Sequence, residues 1–182
     1  GGTGTRGVFI GGHNEPPSTV YNIMDYISIE NLGNAIDFGD LHGGVEQEGG
    51  ALSSSIRGYH FGGDPADNEI KTFVFASTGS STDYGDLTGT SKHGAGCSDG
   101  TRGVVSLSSP SSNLAMNYFH LSSTGTAQSF GNLSAAAAFT SALSSPTRGV
   151  WGGGNNPSVH NTIQYITIST TGNAQEFGDL TV

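Results

Sequence analysis

The chain repeats itself four times, and this limits its fold more than any single residue does. The clearest marker is an aromatic residue, a glycine, a polar residue and a leucine. It stands at Phe38-Gly39-Asp40-Leu41, Tyr84-Gly85-Asp86-Leu87, Phe130-Gly131-Asn132-Leu133 and Phe177-Gly178-Asp179-Leu180. Its glycines are spaced by 46, 46 and 47 residues. Six residues before each lies another glycine: Gly33, Gly79, Gly125 and Gly172. A third marker, Arg-Gly, begins at Arg6, Arg57, Arg102 and Arg148, with steps of 51, 45 and 46. A unit of this size cannot bury its apolar residues alone, so such units stack on their neighbours. The length variation falls between markers, where loops belong.

One unit reads as strands. Residues 6–12 (RGVFIGG) form a β-prone run ending in a double glycine, a strand and then a loop. Pro16-Pro17 excludes a central strand over 13–19. Residues 20–30 (VYNIMDYISIE) are rich in β-branched and aromatic side chains and predict a strand. Gly33 marks a hairpin turn, and 35–41 the returning strand. The variable stretch on to Ser55 has room for a fourth. The second strand is apolar on both faces. Met24, Ile70, Met116 and Ile163 form one column. Ile27, Phe73, Phe119 and Ile166 form another of opposite parity, continued by Ile29, Phe75, Leu121 and Ile168. A sheet with one wet face alternates more cleanly. Two buried faces place a small sheet between two others, the situation of a propeller blade, and the period fits. Glycine, 30 of 182 residues, argues against helical repeats.

The order of β-prone run, Gly-Gly, polar loop, tyrosine-bearing strand, turn, aromatic and leucine resembles the kelch repeat of β-propellers. Gly11-Gly12, Gly62-Gly63 and Gly152-Gly153 stand where kelch has its double glycine. The third copy departs from it with Leu107-Ser108, and the aromatic column is Phe or Tyr where kelch usually has Trp. The wording is closer to tandem repeats in virion structural proteins of marine cyanophages and related tailed phages. Units such as 147–154 (TRGVWGGG), 161–168 (NTIQYITI) and 172–174 (GNA) carry that likeness, which runs the whole chain. It implies an all-β, kelch-like β-propeller or propeller segment of four blades, approximately 1–46, 47–92, 93–138 and 139–182. It also implies a tail, fibre or capsid-decorating component.

Composition narrows the function classes. The net charge is −9, from 6 Lys+Arg and 15 Asp+Glu. That speaks against a nucleic-acid partner, which needs clustered Lys and Arg, and against docking on an anionic membrane. No apolar run is long enough for a transmembrane helix, and no signal peptide is visible. One cysteine, Cys97, excludes an internal disulfide framework and a multi-cysteine metal site.

Several spellings invite a chemical reading. Residues 96–100 (GCSDG) match G-x-S-x-G, but that motif needs a strand, a tight turn and a helix. Here it occupies a small-residue turn before an Arg-Gly strand. Asp37-Phe38-Gly39 spells the kinase metal triplet yet recurs as Asp83-Tyr84-Gly85 and Glu176-Phe177-Gly178, so it is a repeat feature. The acidic pairs Asp37/Asp40, Asp83/Asp86 and Glu176/Asp179 could ligate Ca²⁺. Carboxylates three apart on a strand point to opposite faces, so turn caps or partners for the repeated arginines fit better. Each arginine is expected to satisfy a carboxylate or backbone carbonyls between blades, and Arg57→Ala to lower the melting temperature. His13, His42, His60, His93, His120 and His160 have no metal-ligand spacing and read as isolated loop residues. Trp151, Tyr59 and Tyr21 could be sugar-stacking platforms, but Trp151 lies in the Arg-Gly strand, aligned with Phe9, Tyr59 and Val105, so core packing fits better. No charged cluster confined to one or two units is visible.

The expectation is therefore a non-enzymatic virion or fibre component, located on the virion or outside the cell. Other virion subunits are its expected partners and a host surface glycan a further one. No cofactor or metal is expected. A carbohydrate- or protein-binding propeller and an enzyme on a propeller scaffold are the alternatives. About 14 residues separate each leucine from the next arginine marker, whereas only Thr181-Val182 and residues 1–5 flank the array. A closed four-bladed ring would lack most of one strand. The chain would then be part of a longer repeat protein, borrow a strand, or carry a three-stranded last blade.

Overall fold

The structure, a computed structural model, describes residues 4–14, 19–44, 47–110, 113–136, 138–155 and 158–181. Pro16-Pro17 lies outside them. Among the described residues every regular element is a strand, and every pairing is antiparallel. The chain is all-β.

Four small sheets follow one another along the chain. Sheet one holds β1 (Arg6–Ile10), β4 (Ile23–Ser28) and β5 (Ile36–Asp40), with a ribbon of β2 (His13–Asn14) and β3 (Thr19–Val20) beside it. Sheet two runs β6 (Gly50–Ser53), β7 (Arg57–Phe61), β8 (Asp67–Val74) and β9 (Thr82–Ser91). Sheet three runs β10 (Gly96–Ser98), β11 (Arg102–Ser106), β12 (Ala115–His120) and β13 (Gln128–Asn132). Sheet four runs β14 (Ser141–Ser144), β15 (Arg148–Asn155), β16 (Val159–Thr167) and β17 (Gln175–Asp179). The variable stretch after each leucine does hold a strand, but it opens the next sheet: Gly50 pairs with Phe61 and Ser53 with Gly58. The three-stranded sheet is therefore the first one. Sheet four, where a missing strand was one expectation, has four.

The aromatic-glycine marker is a β-bulge in every sheet. Met24 pairs with Gly39 and Asp25 with Asp37, so Phe38 is the extra residue. The register shifts equivalently at Ile70/Lys71, Met116/Asn117 and Ile163/Gln164. The bulge glycines have φ of 143°, 147°, 151° and 150°, a region that side chains other than hydrogen seldom reach. A Cβ on Gly85 would lie 2.2 Å from the Gly125 carbonyl oxygen, and one on Gly131 2.2 Å from that of Gly172. The two glycine markers thus exist for each other. The bulge of one sheet lies against the hairpin turn of the next.

Backbone hydrogen bonds sew this seam. Gly79, Gly125 and Gly172 N–H groups donate to the carbonyls of Phe38, Tyr84 and Phe130 at 2.6, 3.1 and 2.8 Å. Ser81, Ala127 and Ala174 donate to those of Asp40, Asp86 and Asn132 at 2.9, 2.7 and 2.8 Å. Apolar residues fill the space between sheets. Val8, Met24, Phe38 and Leu41 of sheet one meet Phe73 and Phe75 of sheet two. Tyr59, Ile70, Tyr84 and Leu87 meet Phe119, Leu121 and Ala127. Val104, Met116, Phe130 and Leu133 meet Trp151, Ile166, Ile168 and Ala174. Each fully buried large side chain contributes about 1.5–3 kcal/mol. The two-faced columns read from the sequence are these two faces. Among the described residues no comparable seam joins sheet four to sheet one, and no closed propeller forms.

In the last copy the double glycine that turns lies one residue later than the pair assigned from the sequence. Gly11-Gly12 have φ of 63° and 110°, and Gly62-Gly63 of 60° and 153°. In sheet four the equivalent pair is Gly153-Gly154, at 65° and 137°, instead of Gly152-Gly153. Each pair starts five residues after its arginine, and the backbone turns there.

Candidate functional site

Charged side chains gather at the double-glycine end of sheet two. Asp67, Glu69 and Lys71 alternate along β8 and share one face, turned toward sheet one. Lys71 is completely buried, with its Nζ 3.2 Å from Asp67 Oδ2 and 3.1 Å from Glu69 Oε2. Glu69 Oε1 lies 3.3 Å from His42 Nε2, so the loop after Leu41 is drawn in. Lys71 belongs to a column that sequence reading passed over. The equivalent residues are Asn117 and Gln164, both buried, and the half-buried Asp25. Asn117 Oδ1 accepts from Thr88 N and Oγ1 at 2.8 and 2.9 Å. Gln164 Oε1 accepts from Ser134 N and Oγ at 2.7 and 2.9 Å. The column sits one residue after the Met24 column, and its one signal was a polar residue in every copy.

A second group of charges adjoins the first. Lys92 Nζ is 2.9 Å from Asp64 Oδ2 and 3.7 Å from Glu48 Oε2. The hydrogen bond to Lys92 holds the Asp64 carboxyl below the usual carboxylate range, and its partner Lys92 is raised by the same bond. His93 Nε2 lies 2.7 Å from Glu48 Oε2, and burial lowers the imidazole's affinity for a proton. Glu48, His93 and Phe139 occupy the same place in successive loops. All three are left-handed, with φ of 62°, 63° and 57°, and they are the described non-glycine residues with positive φ. His93 N donates to Glu48 O at 2.9 Å and Phe139 N to His93 O at 3.3 Å, so the loops form a ladder. Such backbone costs about 1–3 kcal/mol per residue and persists where surroundings impose it.

Beside these loops is a cleft of about 310 Å³. It is lined by Val8, Phe9, Ile10, Gly12, Gln47, Glu48, Gly49, Ala51 and His60. His60 is buried at its wall, and burial beside the Lys71 ammonium pushes its pKa down to about 4. Three of the six histidines lie at this end beside charged groups, His42 on Glu69, His93 on Glu48 and His60 near Lys71. The sequence also showed no cluster confined to one unit; the fold assembles one in sheet two from residues 42 to 93. Each ammonium serves two carboxylates: Lys71 sits between Asp67 and Glu69, and Lys92 between Asp64 and Glu48. Among the described residues no group of three His, Cys, Asp or Glu is placed to hold a metal ion.

No protein-family model matches the chain, and no curated protein matches it.

The remaining motifs are scaffold. Ser98 lies on β10, with its Oγ donating to the Ser53 carbonyl at 2.6 Å, and a strand follows where a nucleophile elbow needs a helix. Asp99 Oδ1 accepts from Arg102 N, Thr101 N and Thr101 Oγ1 at 2.7, 2.8 and 2.8 Å, a turn cap. Cys97 is buried, and burial pushes its thiol up to about 12, which leaves it unreactive at neutral pH. The acidic marker residues Asp37, Asp40, Asp83, Asp86, Glu176 and Asp179 are exposed on the outermost strands.

Arg6 and Arg102 take the carbonyl option. Arg6 donates to the Phe75 carbonyl, and Arg102 to those of Ile168 and Ser169 at 3.0 and 2.9 Å. Arg6, Arg102 and Arg148 stack on Tyr26, Tyr118 and Tyr165, with the guanidinium carbon 4.4, 4.6 and 4.3 Å from the ring centroid. In sheet two the tyrosine position is Thr72, and the Tyr59 hydroxyl donates to the equivalent carbonyl, that of Leu121. Arg57 is thus the wrong arginine on which to test the seam. Trp151 is buried as expected, its Nε1 donating to the Ala95 carbonyl at 3.3 Å.

Proposed function

We propose that the chain is a non-enzymatic structural component of a tailed-phage virion or fibre, built as a segment of a kelch-like propeller whose blades are the four sheets. In this reading it acts outside the cell or on the particle, next to other virion subunits. The carrying observation is where the repeated chemistry goes. Arg6 and Arg102, the bulge glycines Gly39, Gly85 and Gly131 and the turn glycines Gly79, Gly125 and Gly172 are used in holding one sheet to the next. The likeness of the repeat wording to cyanophage virion proteins supports the particle itself. A fold of this kind hosts many functions, so the site must decide. Electron microscopy of purified particles labelled with an antibody to this chain is the test. Label at regular positions on tails, fibres or capsids is the expected result; unlabelled particles would overturn the reading.

A second reading, a carbohydrate- or protein-binding module, is favoured by the cleft at Phe9, Glu48 and His60. It combines an exposed aromatic ring, a carboxylate and backbone polar groups, the equipment of a polar ligand site. A glycan-binding screen with the purified chain tests it. Binding lost in Phe9→Ala and Glu48→Gln with an unchanged melting temperature would place a ligand there. The same two readings remain compatible if a particle protein also grips a host glycan.

A further inference from the structure

The seam between sheets is built three times in this chain, and both halves of a fourth stand uncovered at its ends. In the first three sheets the bulge aromatic and its leucine are covered by the next sheet. Phe38, Tyr84 and Phe130 are 2–4% exposed, and Leu41, Leu87 and Leu133 are 2–3% exposed. Their equivalents in sheet four, Phe177 and Leu180, are 56% and 45% exposed. A Cβ on Gly178 would meet nothing within 4 Å, unlike those on Gly39, Gly85 and Gly131. The opposite half behaves the same way. His60, Val105 and Trp151 are buried, and their equivalent Phe9 is 60% exposed. Phe75, Leu121 and Ile168 are buried, and Ile29 is 55% exposed. Ala35 is exposed, and Ser81, Ala127 and Ala174 are buried.

The end faces also keep the polar partners of the seam. Gly33 and Ala35 hold the places of the turn N–H donors. The carbonyls of Phe177 and Asp179 hold the places of the acceptors. Asp25 stands in the column whose Asn117 and Gln164 accept from Thr88 and Ser134, and Thr181 is the equivalent hydroxyl donor. Arg148 already lies stacked on Tyr165, as Arg102 does on Tyr118. Its missing acceptors correspond to the carbonyls of Ile29 and Glu30.

We infer that the sheet-four face of one copy docks on the sheet-one face of a second copy, head to tail, reproducing the internal seam. The interface would place Phe177 and Leu180 against Phe9 and Ile29. Gly33 N would donate to Phe177 O, Ala35 N to Asp179 O, Thr181 to Asp25, and Arg148 to Ile29 O. This chain carries on its two open faces the donors and acceptors that its internal seams use. A head-to-tail contact uses two different surfaces, so it forms filaments, or rings if the rotation closes. The inference rests on the structural-component reading and names the partner within it.

The test uses the purified chain in sedimentation equilibrium. Wild type is expected to gain mass with concentration, to dimer or beyond. Phe177→Asp and Ile29→Asp, at positions exposed in the single copy, are each expected to remain monomeric with unchanged circular dichroism and melting temperature. An equimolar mixture of the two still owns one intact pair of faces and is expected to form a 1:1 dimer and stop there. Wild type that stays monomeric up to about 100 μM would overturn the docking. So would variants that still self-associate, or a mixture that fails to pair. Particle labelling is read separately, so a monomeric chain on labelled particles would sink this contact and leave the structural reading standing.

Discussion

His60 ties the stability of the fold to pH. Its column otherwise holds Phe9, Val105 and Trp151, so an imidazole sits where the fold buries apolar groups. The unfolded chain protonates it near 6.5, whereas the folded chain resists until about 4. Between those values the unfolded state binds more protons, so stability falls as pH falls. The stability present above pH 6.5 is lost on the way to 4, by up to about 3 kcal/mol for a shift of this size. Denaturant titrations of wild type and His60→Leu across pH 4–7 check this. The variant is expected to lose most of the acid slope in that window. An equal slope in both would mean that His60 is not held neutral. The Lys71 ammonium is buried between two partly exposed carboxylates, although its place in the sequence looked like one more polar residue in a strand.

At the level of the element, the seams explain which substitutions matter. Arg102→Ala removes two guanidinium bonds to the carbonyls of sheet four and a stack on Tyr118, a loss of about 1–3 kcal/mol. Arg57→Ala leaves the corresponding carbonyl with the Tyr59 hydroxyl and is expected to cost well under half as much. Thermal denaturation of the two variants decides; equal losses would show that the arginines act by some other route. The bulge glycines offer a paired experiment. Gly85→Ala meets both a disfavoured φ and the Gly125 carbonyl oxygen, whereas Gly178→Ala meets the disfavoured φ alone. The first is expected to destabilise by at least ~2 kcal/mol more than the second, provided the chain is dilute enough to be a single copy. Their difference isolates the seam from the strain. The elements themselves were legible, because alternation, β-branching and glycine punctuation are local signals. The pairing of each post-leucine strand with the following sheet was not. Nothing in residues 50–53 says which neighbour they join.

Considered whole, the molecule is a stack with two covered sheets and two half-covered ones. Its stability should vary accordingly, since units in such arrays depend on their nearest neighbours. Native-state hydrogen exchange is expected to show the slowest amides in β8, β11 and β12 of sheets two and three. Those of β16 and β17 should exchange faster while the chain is a single copy, and slow down if copies dock. Uniform protection across the four sheets would contradict a nearest-neighbour stack.

The sequence by itself determined the period, the all-strand character, the two buried faces and the position of the turns. Each of these is written in residues close to one another along the chain, and fourfold repetition multiplies the signal. Tertiary structure alone decided which glycine fits against which turn, and that Arg6 and Arg102 reach carbonyls of the next sheet. It alone gathered Glu48, Asp64, Glu69, Lys71, Lys92 and His93 at one end of sheet two. Those residues come from separate loops and strands, and only register and stacking bring them within a few ångströms. The same holds for the two open faces. Phe38 and Phe177 are identical residues in equivalent motifs, and what separates them is whether a sheet lies on top.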